Sequence, residues 1–307
     1  MKVLTKYLII FIGALAFAHE GIGQQQAMFT QYMFNAVAIN PGVVGTHGSL
    51  SMTALAREQW SGLEGAPSTQ TLSIHGPTLN KRVGLGLQVL RDQIGVTKQH
   101  AVFGSYAYRV NFRNSTLSLG ISAGFNSYNT DPSSLRTVNP DAHIQDDYAA
   151  GFKPNFGTGA YFYTNRLYLG LSAPMLVNHD VTWDTENTDR PQQRQHYFLM
   201  GGYVFDLGMN LKLKPNFLVK YVQGAPISAD INVNLLIHEV LWIGVSHRSF
   251  DSIDGLIEFQ LTNQLKVGYA HDFTLSDLQE VNNGTHEIMI NYRVSFKAKK
   301  AITPRYF

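Results

Sequence analysis

The residues best suited to chemistry in this chain are two adjacent His-Asp pairs, His179-Asp180 and His271-Asp272. A histidine and an acid catalyse proton transfer only when both reach the same reacting group. Neighbouring side chains on a strand point to opposite faces, so a pair on a strand has poor geometry for this task. None of the 11 histidines occurs in the HExxH spacing of zinc proteases. We therefore predict no catalytic residue, no cofactor and no enzymatic activity.

Metal and nucleic-acid binding also find little support in the sequence. Asp146-Asp147 and the pair Asp251 and Asp254 offer carboxylates for a divalent cation, but solvated loop carboxylates are far commoner, and we predict no metal site. The chain has no cysteine, which excludes thiolate ligands, a disulfide framework and a lipoprotein anchor. A net charge of +2 with 15% charged residues gives no concentrated basic face for nucleic acid.

The N-terminus has the pattern of a secretory signal. Lys2 and Lys6 precede an apolar stretch at residues 7–18, and small residues offer cleavage after Ala18 or Gly23. The stretch is shorter than the roughly 20 residues that a membrane-spanning helix needs. We predict that residues 1–23 are a cleaved signal peptide; an uncleaved anchor is the alternative.

Alternation of apolar and polar residues dominates the rest of the chain. In residues 82–90, Val83, Leu85 and Leu87 alternate with glycines, as half-buried strands do. The 27 Gly, 15 Tyr and 18 Phe also favour an all-β fold. Such runs predict about fourteen strands, and an even number is what a closed antiparallel barrel requires. The predicted strands are 50–57, 69–75, 82–91, 97–110, 115–128, 155–163, 166–173, 195–205, 210–222, 227–238, 240–248, 254–261, 264–271 and 285–297.

Alternation alone does not separate a soluble sandwich from a membrane barrel. The connections do, because those after even-numbered strands are short, such as 164–165, and several after odd-numbered strands are long, such as 129–154 and 174–194. Short periplasmic turns and long external loops are typical of outer-membrane barrels. We predict an all-β transmembrane antiparallel barrel over residues 50–297, a preceding segment at 24–49 and a tail at 298–307, with both termini periplasmic.

Three groups of residues are candidates for roles in such a barrel. Ionisable residues on the polar strand faces should face the lumen, either as ion pairs that fix its shape or as a ring that contacts a polypeptide. The segment at 24–49 could plug the barrel, dock a periplasmic partner or pack as a tail. Aromatic residues near strand ends are candidates for girdles at the membrane interfaces. The lumen candidates are Arg57, Arg109, Lys220, Asp230, Glu258, Lys266, Glu287 and Arg293; those of the segment are Phe29, Gln31, Tyr32, Phe34, Asn40 and Pro41; those of the girdles are Trp60, Tyr106, Tyr108, Tyr161, Tyr163 and Trp242.

An ordered set of motifs resembles the PorP/SprF membrane proteins of type IX secretion and gliding. The match runs from about residue 28 to the last residue, and the ordered set is more specific than any one motif. Its departures are His271, where the family often has Tyr, and Glu58, where Gln is frequent. The motifs are FTQYMFN at 29–35, NPG at 40–42, REQW at 57–60, GAPSTQ at 65–70, RVGLG at 82–86, DQIG at 92–95, KPNFLVKY at 214–221, GYAHDF at 268–273, GTHEI at 284–288 and PRYF at 304–307.

The resemblance implies a place and a set of partners. It implies a barrel in the outer membrane of a Gram-negative bacterium that serves protein secretion through the type IX pathway. The implied partners are periplasmic ring or peptidoglycan-binding lipoproteins of the machinery, secreted surface adhesins, and outer-membrane lipid. A passive outer-membrane porin or solute channel remains the alternative, since a polar lumen fits both functions.

Overall fold

A computed structural model describes residues 26–134, 148–180, 192–249 and 251–294. Fourteen long antiparallel strands form its wall. They are β1 (Leu50–Glu58), β2 (Ser68–Pro77), β3 (Val83–Ile94), β4 (Thr97–Asn111), β5 (Thr116–Thr130), β6 (Tyr148–Tyr163), β7 (Leu167–Ala173), β10 (His196–Tyr203), β12 (Leu211–Val222), β13 (Ser228–Ile237), β14 (Leu241–Arg248), β15 (Ser252–Gln260), β16 (Leu265–Thr274) and β17 (Thr285–Val294).

The wall closes on itself without a free edge. Each long strand pairs with the next, and β1 pairs with β17 from Leu50 opposite Val294 to Glu58 opposite His286. Three two-residue segments complete the sheets: β8 (His179–Asp180) pairs with β9 (Gln192–Gln193), and β11 (Phe205–Asp206) pairs with β12. The predicted fourteen-strand antiparallel barrel is confirmed. No helix in the described ranges is long and apolar enough to cross a membrane.

The two faces of the wall differ sharply in polarity. On β13, Ile231 and Val233 are exposed on the outside, whereas Asp230, Asn232 and Asn234 are buried inside. Exposed apolar rows of this kind recur on the outer face of the other strands. A surface of this polarity is stable against hydrocarbon rather than water, because apolar groups face lipid and backbone groups are paired along the strands.

The connections divide the barrel into two ends. At the short-turn end, strands join through residues 78–82, 112–115, 164–166, 204–210, 238–240 and 261–264. At the long-loop end lie the connections 59–67, 95–96, 223–227 and 275–284 and the described parts of those at 131–147, 174–195 and 249–251. β6 begins at Tyr148, earlier than the predicted residue 155, because its pairing with β5 resumes beyond an irregularity between Asn126 and Tyr128.

Two of the girdle predictions are wrong. Tyr161 and Trp242 are buried inside the barrel. On β6, Tyr161 lies on the same face as the inward Gly157 and Gly159, and on β14, Trp242 lies on the same face as the inward Ser246. Strand parity, which sets the face of every side chain, overrides nearness to a strand end. The other four aromatics differ in exposure: Tyr106 and Tyr108 are exposed on the outer face of β4, Trp60 lies in the loop after β1, and Tyr163 is half-buried.

Residues 26–49, named here the inner segment, lie within the barrel. The segment begins near the long-loop end, where Gln26 N–H donates to His196 Nε2 at 3.2 Å, and leads into β1 at the short-turn end. Two short 3-10 turns, Ala36–Ala38 and Pro41–Val43, form its middle. The predicted signal peptide, the predicted tail and the Asp146-Asp147 pair lie outside the described residues.

Candidate functional site: the barrel interior

A buried carboxylate of the wall holds the start of the inner segment. Glu287 of β17 accepts the backbone N–H groups of Thr30 and Gln31, one on each carboxylate oxygen, both at 2.8 Å. The Glu287 side chain has no measurable exposure. Hydrogen bonds to an ionised acceptor are about twice as strong as neutral ones. The bidentate contact therefore fixes the position and orientation of the segment at this point.

Thr30 is also the centre of a buried ionic cluster. Its hydroxyl lies 2.7 Å from Asp272 Oδ1 and accepts a hydrogen bond from Arg57 Nη1 at 2.9 Å. Arg57 in turn pairs with Asp272 at 2.8 Å and with Glu287 at 3.2 Å. All four side chains are at most 2% exposed. We name Thr30, Arg57, Asp272 and Glu287 the latch.

A second arginine extends the latch around the wall. Arg248 of β14 lies 3.3 Å from Asp230, 3.3 Å from Asp251 and 3.6 Å from Asp272. Asp230 also pairs with Lys220 at 3.4 Å. Ion pairs thus connect β12, β13, β14, β16, β17 and β1 on the inside of the barrel. Charges that are buried in such a network need their partners, because an unpaired buried charge costs several kcal/mol.

Phe34 reaches a cluster of cations nearer the short-turn end. Lys214 Nζ lies 5.4 Å from the Phe34 ring centre and 5.6 Å from that of Trp242, and Lys266 Nζ lies 5.2 Å from the Phe34 ring. Lys266 pairs with Glu258 at 2.6 Å. Cations over desolvated aromatic faces contribute about 2 kcal/mol each. The segment is therefore held by aromatic contacts here, and by ions at the latch.

The middle of the inner segment packs directly on the backbone of the wall. Asn40 Nδ2 donates to the Ala160 carbonyl at 3.1 Å, and Ser172 Oγ donates to the Ile39 carbonyl at 2.7 Å. A side chain at Gly120 of β5 would overlap Pro41 and Gly42 of the segment, and one at Gly159 would overlap Asn40. The inward glycines thus leave room for another stretch of chain, a use that the alternation alone did not reveal.

Replacing Gly120 by valine should loosen the segment from the wall. The new Cβ would meet the backbone of Pro41 and Gly42, and overpacking of this kind costs about 1–3 kcal/mol. Limited proteolysis of purified barrels should cut the inner segment faster in Gly120→Val. The matched control is Gly104→Val on the outer face of β4, where the nearest atom is 3.8 Å away. Equal cleavage rates in both variants would contradict this contact.

Three further contacts of the segment lie on the inner wall. Arg109 of β4 donates to the Gly45 carbonyl through Nη1 and to the Val83 carbonyl at 2.9 Å through Nη2. Gly45 N–H donates to His75 Nδ1 at 3.0 Å. At the other side, Asn232 Nδ2 donates to the Tyr32 hydroxyl at 3.3 Å. The segment is therefore bound to strands around most of the circumference.

The candidate residues named from the sequence take different places in the structure. The latch and its extension contain Arg57, Lys220, Asp230 and Glu287. Glu258 and Lys266 pair with each other nearer the short-turn end. Arg293 is half-buried and donates to Asn291 at 3.1 Å. The candidates on the segment, with one exception, are buried within the barrel: Phe29, Gln31, Tyr32, Asn40 and Pro41 are buried, and Phe34 is partly buried.

Sequence reasoning missed Thr30, His75, Lys214 and Arg248 as inward polar residues. The parity of their strands was the available signal for His75, Lys214 and Arg248. Asp272 was noted only beside His271, yet the structure separates the two, because Asp272 points into the latch while the His271 ring packs on His286 at 4.7 Å.

The other acidic and histidine candidates contact neighbouring residues of the barrel. Asp251 pairs with Arg248, and the buried Asp254 accepts a hydrogen bond from Ser252. His179 Nε2 lies 2.7 Å from the Pro154 carbonyl. Residues 120–124 (GISAG) have the spacing of a serine-hydrolase elbow, which sequence reasoning overlooked, but they lie inside strand β5 rather than at the strand-to-helix turn that this motif needs.

A match to a known protein family identifies the family of this chain. Residues 22–292 match the family described as type IX secretion system membrane protein PorP/SprF. The chain belongs to the PorP/SprF family. The match covers the inner segment and the wall together, and it confirms the resemblance found in the sequence. No curated protein matches the chain.

Solved structures with a similar fold are outer-membrane barrels. A structure titled CymD monoaromatic hydrocarbon channel superposes with a TM-score of 0.53 at 12% identity, covering 88% of this chain and 93% of that one. Omp33 of Acinetobacter baumannii gives a TM-score of 0.45 at 12% identity, covering 81% of this PorP/SprF chain and 100% of its own. At such low identity the first of these supports the barrel fold alone.

Proposed function

We propose that this PorP/SprF protein is a non-enzymatic outer-membrane component of the type IX secretion machinery that binds partner proteins. The observation that carries the proposal is the family match over residues 22–292. The partners would be periplasmic machinery proteins, such as ring or peptidoglycan-binding lipoproteins, or secreted surface adhesins, including those used in gliding. The N-terminal signal and a periplasmic short-turn end belong to the same proposal. β17 ends at the short-turn end, whereas the inner segment begins near the long-loop end.

The inner segment supports a partner-binding role over an open channel. It is bound to the wall by the latch, by Phe34 among cations, and by Asn40 on the glycine-lined strands. A barrel whose interior holds its own chain leaves little room for passive flow. Its two ends, rather than its lumen, would then meet partners.

Deleting the gene should leave a defined set of proteins unsecreted. Quantitative mass spectrometry of the culture medium and of the cell surface would compare the deletion strain with a complemented strain. The proposal requires that this set of proteins be depleted from both fractions and accumulate in the periplasm. Unchanged secretion and display of all surface proteins would contradict it.

A passive solute channel is the second candidate function. It is favoured by a cavity of about 60 Å³ beside the inner segment, lined by Leu90, Ala101, Phe103 and Tyr128 of the wall. The structural neighbour named as a monoaromatic hydrocarbon channel gives this candidate a precedent. Steady ion conductance of the purified wild-type barrel in planar bilayers would favour the channel, and silence would count against it.

A further inference from the structure

The short-turn end carries an uneven set of charges. Its exposed turns and strand ends hold the cations Lys81, Arg82, Arg113 and Arg166. The carboxylates of this end have cationic neighbours, since Asp206 pairs with Arg166 and with Lys212, the latter at 3.3 Å, and Glu239 lies 3.9 Å from Lys212. The acidic residues of this end are therefore neutralised within the barrel's own turns.

The remaining cations lie together on two neighbouring turns. Lys81 and Arg82 belong to the β2–β3 turn, and Arg113 belongs to the β4–β5 turn; β3 and β4 pair side by side. All three side chains are exposed. Among the described residues, no carboxylate lies within 4.0 Å of any of them. In the described part of this end, exposed cations that have no carboxylate within 4.0 Å are thus confined to one sector.

Apolar side chains stand beside these cations. Leu79, at the tip of the β2–β3 turn, is fully exposed, and Phe112 of the β4–β5 turn is 56% exposed. Large apolar groups inside a charged rim are typical of protein-binding surfaces. We name Leu79, Lys81, Arg82, Phe112 and Arg113 the turn face.

Hydrogen bonds close both turns of the turn face. Asn80 Oδ1 accepts from the Thr78 hydroxyl at 2.8 Å and from Arg82 N–H at 3.0 Å. Lys81 is held at φ +57°, in the left-handed region that side chains other than glycine rarely adopt. Phe112 N–H donates to the Ser115 carbonyl at 2.8 Å, which closes the second turn. Preorganised turns lose little conformational entropy when a partner binds.

We propose that the turn face is a docking surface for an acidic protein partner. The inference rests on the proposed function, which places the short turns in the periplasm. Clustered cations would steer an acidic surface towards the barrel and fix its orientation, while Leu79 and Phe112 would provide the buried apolar contact. A lipid headgroup layer surrounds a barrel on all sides, whereas these cations occupy one sector, which favours a one-sided protein partner.

Charge reversal at the turn face provides the test. The triple variant Lys81→Glu, Arg82→Glu and Arg113→Glu should lower secretion of the dependent proteins about tenfold or more. The control, Arg91→Glu, Lys98→Glu and Lys153→Glu, reverses three charges at the long-loop end, two exposed on β3 and β4 and one half-buried on β6. Cells that carry this control should secrete normally. Heat-modifiable gel mobility must show that both variants are assembled. If the reversal blocks assembly, the same positions changed to methionine should still lower secretion.

Photo-crosslinking identifies what the face meets. A benzoylphenylalanine in place of Leu79 should crosslink in cells to a protein with an acidic surface, and the charge reversal should abolish that product. Crosslinks to lipid alone would overturn the proposal in favour of membrane anchoring. Normal secretion by the reversed variant, in a strain where gene deletion blocks secretion, would overturn the docking surface and leave the proposed function standing. Normal secretion in the deletion strain would remove the proposed function itself.

Discussion

Deleting residues 26–47 should make the barrel conduct ions in planar bilayers, in which we expect the wild type to be silent. Closed barrels of about eight strands are filled by their own side chains, and those of 16–18 strands hold an aqueous channel. A fourteen-strand wall therefore has room that the inner segment now occupies. Once the segment is gone, water would hydrate the inward ions Arg57, Asp272 and Glu287. Single-channel recording of the refolded variant measures the effect.

The control for this deletion removes chain elsewhere. Deleting residues 276–281 shortens the loop between β16 and β17 at the long-loop end and leaves the inner segment in place. This variant should stay as silent as the wild type. An assembled barrel without residues 26–47 that conducts no better than the control would show that the segment does not close the lumen.

Replacing Arg57 by alanine should destabilise the barrel more than a substitution at an exposed site of the same strand. Arg57 is the cation closest to Asp272 and also pairs with Glu287, and both carboxylates are buried. Removing one partner of a buried ion pair typically costs about 3–5 kcal/mol. The thermal midpoint of the heat-modifiable mobility shift should fall, and protease should reach the inner segment sooner.

Two further variants separate charge from packing at the latch. Glu58→Gln changes the exposed neighbour of Arg57 and should leave the midpoint near that of the wild type. The triple variant Arg57→Ala, Asp272→Asn and Glu287→Gln should regain part of the lost stability, because no unpaired charge stays buried. If Arg57→Ala and Glu58→Gln behave alike, the latch does not hold the segment.

The wall could be predicted from the sequence because its information is local. Alternation such as Ile231 and Val233 against Asn232 and Asn234 sets both the strand and its faces within a few residues. The lengths of the connections then distinguished a membrane barrel from a sandwich. The start of β6 was placed late because the polar stretch at 129–154 was assigned to a loop, although pairing with β5 continues through Pro154 and Lys153.

The interior was harder to predict because its contacts join distant parts of the chain. Thr30 and Asp272 are 242 positions apart, and no spacing rule links them. Strand parity places Gly120 and Gly159 on the inner face, but their use becomes clear only when Asn40-Pro41-Gly42 is placed against them. Tyr161 and Trp242 were expected in the girdles, since nearness to a strand end received more weight than the parity of their strands.

Affinity purification from crosslinked envelopes tests most directly whether this barrel works through protein partners. The tagged wild-type protein would be compared with an unrelated tagged barrel of the same membrane, and the bound proteins would be identified by mass spectrometry. We expect specific enrichment of type IX machinery proteins or of their secreted substrates. Recovery of only the barrel itself and of general assembly factors, in the same amounts as with the unrelated barrel, would contradict the account.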